Sequence, residues 1–258
     1  MRQRICLLLL SIAAVTAAVA QAPPTQVSLL HAESQVRSGT VITVGIRFLL
    51  PPGWHLYWTN PGDAGQAPSV QWVLPFGWSA GALQWPTPAR LVNSAGVDYG
   101  YENEVTLLTP LKVGAIDGEL VANLKWLVCK DICVPQNGTA RTVVHIGANS
   151  VNPAAQQVMD NAKASLPHTV PPAWKANAFQ NPGQLMLNFR PGIKVMQATF
   201  FPEDREVIEN AASQQLSSTS YAAQLTMKKA ASSTKISRLK GVLVVNGTNA
   251  YQVDVPVK

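Results

Sequence analysis

Cysteine is nearly absent from this chain. It has three among 258 residues, and Cys6 sits inside an N-terminal apolar run, which leaves Cys129 and Cys133 as the pair a mature protein would keep. So few thiols exclude a disulfide-dense scaffold, and the remaining two lack the four-ligand spacing of a structural zinc site. Histidine is as sparse, with four residues scattered along the chain, and no Ser-His-Asp arrangement, phosphate-binding glycine loop or carboxylate pair stands out to suggest a hydrolytic centre. Charged residues make up 13% of the chain and form no Lys/Arg cluster of the kind that tracks phosphate, so nucleic acid is not an expected partner. Beyond the N-terminus no window approaches the ~18 consecutive apolar residues that read as a membrane span.

What is present starts with an address. Arg2 and Arg4 precede the apolar run Ile5 to Leu10, and Ala18-Val19-Ala20-Gln21-Ala22 offers two small-x-small cleavage positions. This reads as a secretory signal peptide over residues 1–22, removed with Cys6, with an uncleaved anchor as the alternative. No stable membrane insertion is expected after cleavage. The exported chain keeps 18 basic against 14 acidic residues, a net +4 that suits an ordinary solvated surface. Export implies an oxidising, periplasm-like compartment, where a dithiol stays reduced only if something supplies electrons.

About 236 mature residues suit two domains. From Thr25 to about Gly147, short runs rich in β-branched and aromatic residues alternate with Pro and Gly. Val41 to Phe48 and Thr139 to Ile146 read as strands, with Ser69 to Val73, Val105 to Leu111 and Glu119 to Val128 between them. The expected fold class is all-β, with an immunoglobulin-like β-sandwich over residues 25–147. Residues 148–178 read as a linker with one short helix, because Asn152-Pro153 is a good N-cap and first-turn pair before the Ala/Gln-rich Ala154 to Ser165. Residues 179–258 read as a second, smaller β-rich domain with strands at Gln184 to Phe189, Gln197 to Phe201, Tyr221 to Met227, Gly241 to Val245 and Tyr251 to Val257. Asn137-Gly138-Thr139 and Asn246-Gly247-Thr248 match the glycosylation sequon, yet both are read as Asn-Gly turns.

The chemistry centres on Trp126-Leu127-Val128-Cys129-Lys130-Asp131-Ile132-Cys133-Val134-Pro135. Two thiols with three residues between them can bond only across a sharp bend at Lys130-Asp131-Ile132, since a straight strand would carry them about 13 Å apart. A ring of about five residues contributes only roughly 2 kcal/mol in the loop-entropy account, which makes it a weak staple. A working redox pair and a static bridge both remain open. Lys130 favours a thiolate and Asp131 opposes it. Upstream, the Pro51-Pro52-Gly53 turn leads into Trp54-His55-Leu56-Tyr57-Trp58, where alternation puts Trp54, Leu56 and Trp58 on one face and His55 and Tyr57 on the other. His55 and Tyr57 either look onto the redox pair or serve as a surface histidine and a core tyrosine. In Asp98-Tyr99-Gly100-Tyr101-Glu102, Asp98 or Glu102 is a candidate to hold a thiol protonated, and a solvated loop is the plainer reading.

With these segments in view the chain resembles the N-terminal periplasmic domain of the transmembrane disulfide reductase DsbD, and the two-domain N-terminal region of its ScsB-like relatives. The matching stretches are Gly53 to Tyr57, Tyr99-Gly100-Tyr101 leading into Val105-Thr106-Leu107, and Trp126 to Pro135. In the second domain they are Phe200 to Glu203 and Gly241 to Val244, followed by Tyr251. The resemblance implies a reversible Cys129/Cys133 pair, with Cys133 forming the interprotein mixed disulfide and His55, Tyr57, Asp98, Tyr101 and Trp126 as supporting positions. It also implies a cap loop within Val92 to Tyr99, and thioredoxin-fold periplasmic proteins as partners. The gap between the cysteines is shorter than in the best-known DsbD domain. No transmembrane segment or thioredoxin-like domain follows in the sequence given, so a separate transmembrane electron donor is expected. No cofactor is expected. Two other readings stand beside the relay: a Cu(I) site using both thiolates and His55, since soft sulfur suits Cu(I), and a non-catalytic interaction module whose cysteines staple a hairpin.

Overall fold

The computed structural model describes residues 24–258 apart from 95, 234 and 248. Residues 1–22, read from the sequence as a signal peptide, and with them Cys6, lie outside the described residues. The first unit is built from β1 (Gln26–Leu30), β2 (Glu33–Val36), β3 (Val41–Leu49), β4 (His55–Gly62), β5 (Ser69–Val73), β6 (Ser79–Ala80), β7 (Ala89–Asn93), β8 (Gly96–Glu102), β9 (Glu104–Lys112), β10 (Gly118–Cys129), β11 (Cys133–Ile146) and β12 (Ser150–Val151). One sheet runs β1-β3-β9-β6; the other runs β12-β2-β11-β10-β4-β8-β7, with β5 also paired to β10. The chain is all-β with an immunoglobulin-like sandwich.

Alternation builds the core between the two sheets. In β3, Ile42, Val44, Ile46 and Phe48 are buried, and they meet Leu120, Leu124 and Trp126 of β10 in one cluster. Phe48 meets the Trp126 ring edge-on at 5.6 Å between centroids, the arrangement that aromatic quadrupoles favour. Two sequence expectations need correction here. Asn137-Gly138 is not a turn: both residues lie inside β11, opposite Lys125 and Leu124. The reason for the glycine is steric, since a Cβ on Gly138 would stand 3.1 Å from the Trp126 ring and 3.4 Å from Val27. Asp98 to Glu102 is not a solvated loop either. It forms most of β8, with Asp98, Tyr99 and Tyr101 buried.

The helix α1 (Pro153–Ala164) starts at Asn152, whose side chain accepts from the backbone N–H groups of Ala154 and Ala155. It lies on the first unit: Met159 and Ala162 pack against Leu108 and Ala32. Gly45 makes room there, because a Cβ would come within 2.7 Å of Thr106 and 3.3 Å of the Met159 sulfur. Burying a side chain of this size is worth about 2 kcal/mol, enough to hold a short helix on the sheet.

The second unit has two four-stranded sheets. One pairs β13 (His168–Thr169), β20 (Asn249–Pro256), β19 (Arg238–Val245) and β16 (Ala198–Pro202); the other pairs β14 (Asn177–Asn181), β15 (Gln184–Phe189), β18 (Ala223–Lys228) and β17 (Gln215–Ser218). The β19–β20 hairpin does turn at Asn246-Gly247, with φ of 52° and 81°, the left-handed pair such a turn needs. The junction between units is apolar and closed. Phe201, Val242 and Ala250 belong to the same cluster as Leu56 and Trp58 of the first unit.

Candidate functional site

Cys129 ends β10 and Cys133 begins β11, so the two face each other at the turn end of a twelve-position antiparallel register running back to Gly118 opposite Val144. They are joined by a disulfide, with Cα atoms 4.1 Å apart. The reversal takes only Lys130, Asp131 and Ile132, all exposed, and the Lys130 N–H donates to the Ile132 carbonyl at 3.1 Å. The Lys130 side chain runs over Gly53, where its Cε and Nζ lie 3.4 Å from the position of an added Cβ. The two sulfur residues are unlike in access. Cys129 is 2% exposed, while Cys133 lies at the surface.

The other face of the aromatic strand meets this pair. His55 is the cross-strand partner of Cys129, and one residue pair on along the same face Tyr57 directs its hydroxyl to the Cys133 sulfur at 3.5 Å. A disulfide sulfur has no proton to give, so the phenol donates. Leu56 and Trp58 go into the core. Both faces of β4 are therefore buried, His55 and Tyr57 included. The two rings touch edge-on, 5.0 Å between centroids. Burial first, and then the Asp98 carboxylate, push the Tyr57 phenol well above its ordinary value, so it stays protonated and able to donate at neutral pH.

Asp98 reaches the site from β8. Its Oδ2 is 3.4 Å from His55 Nε2, a nitrogen that is buried without a hydrogen-bond partner. The same oxygen accepts from Asn93 Nδ2 at 2.6 Å, and Oδ1 accepts from the Ala64 backbone at 3.3 Å. Glu102 is exposed. Where the resemblance puts a cap loop, Val92 and Asn93 end β7 and Gly96 to Tyr99 begin β8, its antiparallel partner; Val92 stands out in solvent and Val97 and Tyr99 are buried. Tyr101 and Trp126 lie on the core side of the sheet. Tyr101 donates to the Pro86 carbonyl at 2.8 Å, and Trp126 Nε1 donates to Gln136 Oε1 at 3.2 Å. The structure thus brings Cys129, Cys133, His55, Tyr57 and Asp98 together, and puts Tyr101 and Trp126 behind them as packing.

One participant has no signature in the sequence. Gly65, in the loop after β4 and at φ +85°, lies flat on the Tyr57 ring, where a Cβ would stand 2.1 Å from Cζ. The stretch Asn60-Pro61-Gly62-Asp63-Ala64-Gly65 reads only as a loop; its glycines were the one available hint, since left-handed φ and close approach both call for glycine.

Residues 26–145 match the family described as "Thiol:disulfide interchange protein DsbD, N-terminal". Among solved structures, the crystal structure of the N-terminal periplasmic domain of ScsB from Proteus mirabilis aligns with a TM-score of 0.68 at 19% identity, over 90% of this chain and 91% of that one. Titin Ig tandem domains A164-A165 (TM-score 0.21, 12% identity, 92% of this chain and 99% of that one) and the tandem Ig repeats of Dlar (TM-score 0.23, 11% identity, 91% and 98%) align too poorly to carry any argument. Among curated protein sequences no relative matches.

Proposed function

Because this chain belongs, through residues 26–145, to the family of DsbD N-terminal domains, we propose that it is a periplasmic thiol-disulfide exchange protein that passes electrons to thioredoxin-fold partners through Cys129 and Cys133. The observation that carries this reading is the asymmetry of the pair: one sulfur residue at the surface beside a phenol donor, the other 2% exposed beside a histidine. An incoming partner reaches the outer sulfur, and the inner one is kept for resolution.

In the reduced protein the Cys133 thiolate, stabilised by the Tyr57 hydroxyl, attacks one sulfur of a partner disulfide. The Cys133–partner bond forms as the partner's sulfur–sulfur bond breaks, and the second partner sulfur leaves as a thiolate. Cys129 then attacks Cys133 Sγ, closing the intramolecular disulfide and releasing the partner dithiol. Two electrons and two protons pass to the partner. His55, the cross-strand neighbour of Cys129, is the group available to take the Cys129 proton. The Asp98 carboxylate, 3.4 Å from His55 Nε2, is placed to stabilise the imidazolium that forms. Reduction of the pair reverses these steps and requires a donor, for which we propose a separate transmembrane protein.

The staple reading is disfavoured because the hairpin is already held by its long register. The Cu(I) reading is not favoured: among the described residues no group of three His, Cys, Asp or Glu is arranged to hold a metal ion. No described helix is long and apolar enough to cross a membrane.

The test is equilibration of the purified protein with reduced and oxidised thioredoxin, followed by alkylation and mass measurement. A reversible shift by two alkylated thiols, lost in Cys133→Ser, is expected. A pair that stays oxidised at every ratio would refute the relay.

A further inference from the structure

We propose that the second unit is a positioning element for the redox site, and that Arg205 and Asn210 hold the loop that seats Tyr57 against Cys133. The inference rests on the exchange reading above and assigns a role to a unit that contains no cysteine.

The chain of contacts runs from the second unit to sulfur without a break. Arg205 Nη2 donates to the Gly65 carbonyl at 2.9 Å. Gly65 lies on the Tyr57 ring, and the Tyr57 hydroxyl meets Cys133 at 3.5 Å. Two residues earlier, Asn210 Nδ2 donates to Asp63 Oδ1 at 2.7 Å, while Asp63 Oδ2 accepts from the Val97 N–H at 2.8 Å and so pins the loop to the β7–β8 hairpin. Asn60, buried near the end of β4 just before the loop, donates to the carbonyls of Pro202 at 2.8 Å and Asp204 at 3.2 Å. The Tyr99 hydroxyl donates to Asn210 Oδ1 at 2.9 Å, and its ring packs edge-on against Phe201. The loop also touches the other arm of the site, since the Ala64 N–H donates to Asp98 beside His55.

The segment from Pro202 to Ala211 therefore grips the end of β4 and the loop after it at three successive places, and that loop lies against Tyr57 and hydrogen-bonds to Asp98, the carboxylate beside His55. Short donor–acceptor distances at Asn60, Asp63 and Gly65 leave little freedom for the Tyr57 ring. With the grip released, Gly65 can lift, the ring gains room, and the hydroxyl no longer stays at the sulfur. The donor that favours the Cys133 thiolate is then lost for part of the time.

The experiment uses the full chain with Arg205→Ala and Asn210→Ala combined, Arg205→Lys as the conservative variant, and Gly65→Ala, which forces the loop off Tyr57 while leaving the second unit intact. The reduced proteins are alkylated with iodoacetamide across pH, with rates read at Cys133 by mass, and thioredoxin exchange is measured in parallel. Loss of a donor to the thiolate should move the Cys133 alkylation midpoint up by roughly one pH unit, a tenfold fall in thiolate at fixed pH. The double variant and Gly65→Ala should both show this shift, and Arg205→Lys should return towards the parent. A purely structural role would lower the melting temperature without moving the midpoint. Unchanged midpoints in the double variant and in Gly65→Ala, with the parent still exchanging, would overturn the positioning role alone. A parent that fails to exchange with thioredoxin would overturn both readings.

Discussion

Reducing the Cys129–Cys133 bond should cost the protein little stability, and the size of the cost separates a relay from a staple. The bond closes a ring of five residues, from a sequence separation of four. The loop-entropy relation gives about 2 kcal/mol for that ring. The true loss should not exceed this, because the hairpin is registered from Cys129–Cys133 back to Gly118–Val144 and needs no covalent tie to find its pairing. Reduction by dithiothreitol is the cleaner perturbation, since replacing buried Cys129 by serine would add the cost of a buried hydroxyl, about 1–3 kcal/mol. The assay is urea unfolding of oxidised and reduced protein followed by tryptophan fluorescence, which six tryptophans of the first unit report. A midpoint shift equivalent to about 2 kcal/mol or less, with an unchanged slope, is expected. A loss of about 4 kcal/mol or more, or a reduced protein that no longer folds, would show that the bond holds the fold and would rule out a pair free to open and close.

Three further outcomes follow from particular contacts. Gly138→Val inserts a branched side chain against Trp126 and Val27 and should destabilise by about 1–3 kcal/mol, read as a fall in melting temperature; no fall would mean the sheets can separate there. Asn152→Ala removes the cap that receives two N–H groups of α1 and should cost about 1 kcal/mol in the same measurement. Burial raises the phenols of Tyr57, Tyr99 and Tyr101. In the unfolded chain they ionise near pH 10 and in the folded protein they do not, so the unfolded state binds fewer protons above that pH. Their contribution is complete below about pH 10 and is lost as pH rises beyond it, by about 1.4 kcal/mol per pH unit for each such tyrosine. Circular dichroism melts from pH 8 to 11 check this, and a melting temperature that rises across the range would contradict it.

The sandwich was legible because its strands alternate in a simple way: Ile42, Val44, Ile46 and Phe48 announce both the strand and its buried face. The cysteine turn was legible for a geometric reason, as two thiols so close in sequence can bond only across a reversal. Asn137-Gly138 misled because the dipeptide that favours a left-handed turn also serves where a large ring lies against the backbone, and Trp126, eleven residues earlier, carries no mark of that contact. Asp98 was hidden for another reason. A carboxylate among tyrosines reads as solvent-loving until His55, Asn93 and the Ala64 N–H are seen around it. The grip of Arg205 and Asn210 on the Asn60–Gly65 loop joins residues about 140 positions apart, and neither composition nor periodicity encodes a contact of that range.

Exchange through Cys133 is tested most directly by trapping. A Cys129→Ser variant, which can form the mixed disulfide but cannot resolve it, is incubated with an oxidised thioredoxin-fold protein, and the covalent products are identified by mass. A one-to-one adduct joined through Cys133, with little or none for Cys133→Ser, is the predicted result. An adduct that forms equally well through Cys129, or no adduct with either variant, would contradict the exchange of disulfides at this site.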